Sequence, residues 1–216
     1  MMAKTKIKPE ELSFRPATTK DAKVASSLIY ATFPKVATFT IGLGSEERAK
    51  AILEKIFVVP GHRLSYEEMV LAVVQGRVVG GLVAYSAKRL PKLDRRTDRL
   101  ILRQYRFRGK LAMIIRAWPM IFMKDAKRRD YIIGNLAVRP QYRGRGIGKQ
   151  LLIHAEKLAK EAGLRRLALR VAIENKTAKK VYEDFGFKTT AMYLESNRRV
   201  KWAGAGYRWM VKEISA

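Results

Sequence analysis

Cysteine is absent from the sequence, and histidine occurs only as His62 and His154. The chain therefore forms no disulfide and no thiolate zinc site, and two histidines cannot build a metal site alone, so we expect a metal-free protein. No apolar run reaches the roughly 18 uncharged residues of a membrane-spanning helix. Residues 1–11 also lack the apolar core of a secretion signal. We interpret these absences as those of a cytoplasmic protein.

Acidic residues are scarce: 19 Asp and Glu accompany 45 Lys and Arg, for a formal net charge of +26. A field of this size attracts polyanions through counterion release and steers small anionic ligands toward the protein. The charge alone does not distinguish nucleic acid, an acidic protein, an anionic lipid surface or a small acidic molecule as the partner.

Apolar residues make up 48% of the 216 positions, which is enough for one globular core. We expect a disordered basic N-terminus over residues 1–11 and a single domain over residues 12–216. Periodicity and turn signals predict an α/β protein. The predicted strands are 12–17, 66–74, 78–86, 132–140, 166–173, 188–194 and 207–211. Helices are predicted after caps at Thr18 or Thr19 and at Ser45, and over 147–162 and 175–187. Gly80 and Gly81, inside one strand, indicate a bulge or a close backbone approach.

Residues 88–129 interrupt this pattern with 15 Lys and Arg and only 3 Asp. We predict a helix from Asp94 to Phe107, followed by an almost continuously apolar stretch from Leu111 to Met123. Three interpretations stay open: a lid that helps form a ligand pocket, a basic amphipathic surface for membrane or nucleic acid, or a helical pair packed on the domain. The last of these would bury Leu111, Ile114, Ile115 and Trp118.

Glycines alternate in the turn between the strand that ends at Pro140 and the following helix. They are Gly144, Gly146 and Gly148, and the positive side chains beside them are Arg143, Arg145 and Lys149. Glycine permits positive φ and lets an anion approach the main chain, while the first turn of a helix offers unpaired N–H donors. The stretch therefore predicts a diphosphate-binding turn.

Two familiar diphosphate motifs do not fit this turn. A dinucleotide fingerprint needs a third glycine where Lys149 stands, and an acidic residue at the end of the next strand, whose sequence over 167–171 has none. A P-loop needs a hydroxyl after its lysine, where Gln150 stands. The turn instead resembles the coenzyme A pyrophosphate loop of the GCN5-related N-acetyltransferases, Arg/Gln-x-x-Gly-x-Gly/Ala, which Arg143, Gly146 and Gly148 match.

A second motif of that family follows one strand later. The pattern Asn-x-x-Ala-x-x-x-Tyr-x-x-x-Gly-Phe is matched by Asn175, Ala178, Tyr182, Gly186 and Phe187. The resemblance is loose over residues 12–87 and close over 130–212. It implies a mixed, mostly antiparallel sheet flanked by helices. The basic insertion, between strands 3 and 4, is the part of the chain least like the family. It also implies a splay between strands 4 and 5 that receives the pantetheine arm.

The resemblance implies transfer of an acetyl group from acetyl-coenzyme A to a primary amine by direct attack in a ternary complex. The absence of cysteine removes a thiol acyl-enzyme from consideration. The main chain of Leu136, Ala137 and Val138 would hold pantetheine and the thioester oxygen. The phosphates would lie against Arg143, Gly144, Arg145, Gly146, Ile147, Gly148 and Lys149. Asn175 would bond pantetheine or serve as a helix cap, and Tyr182 would donate a proton to the leaving thiolate.

The general base and the acceptor are less well defined by the sequence. Family members that act on ribosomal-protein N-termini carry a glutamate on strand 5, where this chain has Arg170. Asp130 and Glu174 are the nearest carboxylates, and we expect a water relayed to Asp130 to take the proton. The acceptor would be a small-molecule or peptide amine with acidic character. The competing function is a non-catalytic module of this fold that binds nucleic acid or anionic membrane, and a homodimer is also compatible with the sequence.

Overall fold

A seven-stranded mixed sheet forms the centre of the protein. The computed structural model describes residues 7, 11–117, 126–194 and 206–215. The strands are β1 (Leu12–Pro16), β2 (Met69–Val74), β3 (Arg77–Ser86), β4 (Tyr131–Val138), β5 (Arg166–Ala172), β6 (Lys188–Leu194) and β7 (Gly206–Glu213). Their order is β1-β2-β3-β4-β5-β7-β6, and every neighbouring pair is antiparallel except β4 and β5. The predicted mixed, mostly antiparallel sheet is confirmed. Of the predicted disordered N-terminus, all but Ile7 and Glu11 lies outside the described residues.

Helices cover both faces of the sheet. They are α1 (Ala22–Thr32), α2 (Pro34–Phe39), α3 (Glu46–Phe57), α4 (Leu90–Leu102), α5 (Phe107–Ala117), α6 (Ile147–Glu161) and α7 (Lys176–Asp184). On one face α1 and α3 bury residues such as Ile29 and Leu53 in a first core cluster. On the other face α6 buries Leu151, Leu152 and Ala155, at helical spacing, in a second cluster.

Local signals set several of these boundaries where the sequence predicts them. The Ser45 hydroxyl accepts a hydrogen bond from the Arg48 N–H at 3.1 Å and caps α3. Gln75 and Gly76, with φ of 47° and 73°, form the two-residue turn between β2 and β3. Pro34 does more than end α1, because it also occupies the first turn of the short helix α2, which the sequence pattern did not predict.

Two β-bulges shape the middle of the sheet. Between β2 and β3 the register shifts at Ala72 and Val73, so that Val79, next to Gly80, is the extra residue. A Cβ on Gly80 would lie 2.8 Å from the Ala137 carbonyl oxygen, so this glycine does mark a close backbone approach. The second shift lies between β3 and β4 and leaves Gly134 as the extra residue on β4.

The insertion forms a helical pair, but its second helix does not bury the residues expected. The first helix begins at Leu90, four residues before the predicted start, and buries Leu93, Thr97 and Ile101. In α5 only Met113 is buried. Leu111, Ile114 and Ile115 are 51%, 44% and 65% exposed, so the interpretation that packs them on the domain is wrong. Trp118 and the rest of the apolar stretch to Met123 lie outside the described residues.

Candidate active site

β4 has two halves that differ in their partners. Residues 131–133 pair with β3 on one side and with β5 on the other, where Tyr131, Ile132 and Ile133 lie opposite Leu167, Ala168 and Leu169. Among the described strands, β4 pairs with β3 alone from residue 134 onward, while β5 continues to Ala172 beside β7. We call residues 131–133 the paired half of β4 and residues 134–138 its open half. The strands therefore separate where the resemblance places a splay.

The open half presents backbone groups to the gap between β4 and β5. The Arg139 N–H donates to the Val79 carbonyl of β3 at 2.9 Å. Backbone groups alternate between the two edges of a strand, so Ala137 also faces β3, whereas Leu136 and Val138 face the opposite edge. Of the three residues predicted to bind pantetheine through their main chain, Leu136 and Val138 are oriented for it and Ala137 is not.

The glycine turn (residues 143–148) joins the open half to α6. Gly144 and Gly146 have φ of 79° and 85°, the left-handed region that favours glycine. Gly148 lies in the first turn of α6, and a Cβ built on Gly146 or Gly148 would meet no atom within 4 Å. Within the described part of the chain, no backbone carbonyl accepts a hydrogen bond from the N–H groups of residues 144–148. The turn is therefore open and lined with amide donors, which suits a diphosphate.

Three basic side chains surround the turn in different ways. Nε of Arg143 donates to the Val138 carbonyl at 3.1 Å, which ties the turn to the open half. The Arg145 guanidinium lies 5.7 Å from the ring centre of Tyr142. The backbone carbonyl of Arg145 accepts a hydrogen bond from the Ile7 N–H at 3.2 Å. Lys149 is exposed in the first turn of α6. Lys149 therefore offers an exposed charge, while the two arginines also hold the loop.

α7 carries the second motif. The Asn175 side-chain oxygen accepts from the Ala178 N–H at 3.0 Å, so Asn175 is an N-cap. Tyr182 packs against the same core cluster that Leu136 and Val138 contact, and its ring meets Phe187 edge to face at 5.8 Å between centres. Burial raises the pKa of Tyr182 to about 12, so the phenol keeps its proton at neutral pH. A protonated phenol that packs on the same cluster as the open half is available as a hydrogen-bond donor.

Asp130, which was expected to take the proton through a water, is enclosed by other groups of the protein. It is fully buried, and its Oδ1 lies 3.0 Å from Nε of Arg166 on β5. Its other oxygen accepts from the Lys127 N–H at 2.7 Å. The residue precedes the paired half, away from the gap, and both oxygens are engaged. This geometry fits a structural ion pair that joins the ends of β4 and β5, and it does not fit a base that exchanges protons with water.

Beyond the point of separation, the face of β5 opposite α6 carries a cation among aromatic rings. Arg170 lies opposite Trp209 in register, and its guanidinium is 5.3 Å and 5.7 Å from the ring centres of Tyr207 and Trp209. Glu174, the other carboxylate considered from the sequence, is exposed between β5 and α7. The strand position at which the resemblance led us to look for a glutamate is thus held by a positively charged group against two aromatic rings.

The sequence pattern missed the residues at the junction of the two halves. A Cβ on Gly134 would lie 3.0 Å from the Tyr85 hydroxyl, and burial raises the pKa of that phenol. The next residue, Asn135, donates through Nδ2 to the Thr32 hydroxyl at 2.6 Å and so fixes the open half to α1. The signal available was Gly134 itself, because an isolated glycine inside a strand often marks a bulge.

Comparison with known sequences gives matches to acetyltransferases. A Bacillus subtilis protein provisionally named as a ribosomal protein bS18-alanine N-acetyltransferase is 39% identical over 80 residues, which cover 37% of this chain and 48% of that protein. The chloroplastic GCN5-related N-acetyltransferase 4 of Arabidopsis thaliana is 42% identical over 57 residues, 26% of this chain and 20% of that protein. This chain therefore spans less than half the length of these curated relatives.

Solved structures share the fold over nearly the whole chain. A crystal structure described only as an acetyltransferase superposes with a TM-score of 0.69 at 22% identity, covering 94% of this chain and all of that one. A Thermoplasma acidophilum N-acetyltransferase solved with coenzyme A gives a TM-score of 0.51 at 16% identity, and the match covers 94% of this chain and 98% of that one. The family model described as the acetyltransferase (GNAT) family matches residues 46–187. Motifs, fold and family model agree, and the chain belongs to the GCN5-related N-acetyltransferase family.

Proposed function

We propose that the protein transfers the acetyl group of acetyl-coenzyme A to a primary amine by direct attack in a ternary complex. One observation carries the proposal: pairing between β4 and β5 stops at Ile133 and Leu169, while the open half continues into an unobstructed glycine turn. Backbone donors and acceptors that no strand pairs need another partner. An extended pantetheine arm followed by a diphosphate has the shape and polarity to be that partner.

The residues present fit such a co-substrate in two places. The amides of the glycine turn and the positive end of α6 would hold the phosphates, with Lys149 and Arg145 adding charge. The N–H and C=O groups of Leu136 and the N–H of Val138 would pair with the pantetheine amides as a neighbouring strand does. The Val138 carbonyl already accepts from Arg143. Acetyl-coenzyme A supplies the acetyl group as an activated thioester. A main-chain N–H of the open half would donate to the thioester oxygen, where negative charge grows during attack.

Tyr182 would act on the leaving sulfur. A thiol has an ordinary pKa of about 8.5, far below that of this phenol, so a complete proton transfer from Tyr182 to the thiolate would run uphill. Donation of a strong hydrogen bond to the sulfur as its charge develops avoids that cost and still favours departure. Tyr182 therefore serves as the donor to the leaving group, and the proton that the amine loses can neutralise the thiolate afterwards.

The acceptor must reach the site as a neutral amine. Asp130 is sealed in its ion pair, so we do not assign it as the base. A positive group near the acceptor lowers the pKa of an amine, because like charges disfavour the protonated form. Arg170 on β5 is such a group, and the net charge of +26 acts in the same direction. Acceptors that carry an acidic group beside the amine would also be drawn to this field.

The test is a pair of measurements on the purified protein. Calorimetric titration with coenzyme A and with acetyl-coenzyme A should show binding, and a panel of amines with and without a nearby carboxylate should release free thiol from acetyl-coenzyme A. The acidic amines should react faster at low salt than at high salt. A chain that binds neither nucleotide does not have the proposed activity. A chain that binds both but releases no thiol with any amine, while holding RNA or anionic vesicles, is a binding module of the same fold.

A further inference from the structure

The helix α5 has an apolar face that points to solvent. Phe107 is 81% exposed, and the exposed residues Leu111, Ile114 and Ile115 follow at helical spacing. With about 100° of rotation per residue, these four side chains occupy one arc of roughly 100° on the helix surface. An exposed stripe of this kind is unusual on a soluble monomer and marks a surface that something covers.

Cations border this stripe on both sides. On the same helical projection, Arg108 falls at one edge of the apolar arc and Lys110 at the other. Both are exposed, and α5 contains no acidic residue. From residue 99 to residue 117 the chain has six Lys and Arg and neither Asp nor Glu.

The opposite side of α5 is attached to the domain. Met113 is buried, and the Arg116 guanidinium donates to the Phe39 carbonyl at 3.0 Å. The same guanidinium lies 4.6 Å from the centre of the Phe39 ring. The helix is therefore held in place by its inner side, and the apolar stripe is presented outward by a fixed support.

A groove of about 450 Å³ beside the stripe continues the positive surface. It lies between α4 and α5, and its charged residues are Arg95, Asp98, Arg99, Arg103 and Lys110. The three arginines recur every four residues, so they share one side of α4. Four cations and one carboxylate in a groove next to an apolar stripe provide sites for phosphate groups beside a hydrophobic phase.

Three occupants of the stripe can be compared by charge. A second copy of the chain would bring two strongly basic surfaces together, which like-charge repulsion opposes. Nucleic acid matches the cations but leaves the exposed Leu and Ile side chains in water, since it offers them little apolar surface. The surface of an anionic bilayer satisfies both parts, because acyl chains accept the apolar side chains and headgroup phosphates accept the cations.

We propose that α5 docks the protein on the surface of anionic membranes, with Phe107, Leu111 and Ile115 in the headgroup and acyl boundary and Arg108 and Lys110 among the phosphates. This inference is independent of the acetyl transfer proposed above. Among the described residues, no helix has the length and apolar content to cross a bilayer.

Vesicle flotation with the full chain tests the proposal. The protein should float with vesicles of phosphatidylcholine containing about one third phosphatidylglycerol and much less with phosphatidylcholine alone. Leu111→Ser combined with Ile115→Ser should lower partitioning at least about tenfold. A matched pair, Val58→Ser with Ile153→Ser, removes two other exposed apolar side chains and should leave flotation unchanged. Unfolding temperatures of both variants show that the fold is retained.

Charge variants distinguish the contribution of the cations beside the stripe from that of the overall positive charge. Arg108→Gln with Lys110→Gln should weaken the preference for anionic lipid more than Lys157→Gln with Lys160→Gln on α6, although both remove the same formal charge. The proposal is overturned if the chain does not float with anionic vesicles. It is also overturned if the α5 serine variant lowers flotation no more than the control serine variant, or if the two glutamine variants weaken the preference for anionic lipid equally. It is also overturned if light scattering shows a dimer that only the α5 serine pair dissociates, or if that pair abolishes RNA binding in a chain that ignores vesicles. Coenzyme A titration of every variant reports on the proposed activity separately.

Discussion

The two halves of β4 belong to one continuous strand but have different surroundings. In the paired half, Tyr131, Ile132 and Ile133 are buried between two neighbouring strands, and the ion pair of Asp130 with Arg166 closes the end. In the open half only Ala137 is buried, and β3 is the one neighbouring strand in the part of the chain that the structure describes. The difference shows that the candidate site is made by ending a parallel ladder early, while the strands themselves continue.

Ending a ladder early leaves backbone groups without partners, and this is costly where water is partly excluded. The bulge at Gly134 lies where pairing with β5 stops, so the extra residue changes the course of β4 at that point. The paired half can then be regarded as the rigid support and the open half as the surface that receives a ligand. The following predictions test that division.

The largest effect should come from the paired half. Asp130→Ala removes the buried partner of Arg166 and leaves that charge with the exposed Glu213 carboxylate at 3.8 Å, so the free energy of unfolding should fall by about 3 kcal/mol. Urea denaturation measures this loss. The folded fraction at low denaturant should still bind coenzyme A, because the open half is untouched.

The double variant Asp130→Leu with Arg166→Met provides the matched control. It removes both charges and should recover much of the stability that Asp130→Ala loses. If Asp130→Ala instead abolished turnover with little change in stability, Asp130 would belong to the catalytic site, and the division between the two halves would be wrong.

Tyr182→Phe should have the next largest effect, this time on the open half. Loss of the donor to the leaving sulfur should lower kcat by about a hundredfold, while the coenzyme A dissociation constant from calorimetry changes little. An unchanged kcat would remove Tyr182 from the mechanism.

The fall of the unfolding free energy at alkaline pH gives a second measurement on Tyr182. The folded chain holds this phenol proton with a pKa of about 12, above the ordinary value. Its contribution to stability is therefore complete below pH ~10 and is lost as the pH rises toward 12. Tyr182→Phe should flatten the alkaline decline of the unfolding free energy, and pH-dependent urea denaturation measures it.

Sequence reasoning predicted those parts of the site that depend on local chemistry. Glycines that require positive φ, the Ser45 cap and the alternation of apolar residues act within a few positions, so the strand, glycine turn and α6 follow from the chain itself. The order of the two motifs then indicated the fold. The bulge in β4 was also signalled locally, by Gly134, although the prediction considered only Gly80 and Gly81 in β3.

The features that sequence reasoning missed depend on residues far apart in the chain. Nothing near Asp130 indicates that Arg166 will neutralise it, so a carboxylate at a strand end was interpreted as a base. The apolar pattern of α5 likewise says that one side of the helix is hydrophobic, but only the packing of Met113 and the Arg116 bond to Phe39 show that this side faces outward. Burial is a property of the assembled domain, and periodicity alone does not determine it.

A smaller effect is expected from glycines of the turn. Gly148 does not have a positive φ, and a methyl group added there would meet no atom within 4 Å, so Gly148→Ala should keep the free energy of unfolding unchanged. The methyl would stand where the phosphates approach, and coenzyme A affinity should fall about tenfold, or roughly 1.4 kcal/mol. Gly146→Ala should lose affinity as well and also about 1 kcal/mol of stability, because its φ is 85°.

Gly163→Ala is the control for backbone strain. This glycine follows α6 with φ of 68° and open space around it, but it lies at the other end of the helix from the turn. It should lose stability much as Gly146→Ala does and keep full affinity for coenzyme A. If all three variants lost affinity in proportion to stability, the turn would have no special relation to phosphate.

The smallest effect concerns the contact that fixes the open half to α1. Thr32→Val removes the hydroxyl that accepts from Nδ2 of Asn135, so the free energy of unfolding should fall by about 1 kcal/mol. Amide hydrogen exchange should then quicken in the open half, which pairs with β3 but not with β5, while the paired half exchanges as before. Equal acceleration in both halves would mean that β4 opens as one unit, and the early end of pairing with β5 would then leave no separately mobile surface for a ligand to order.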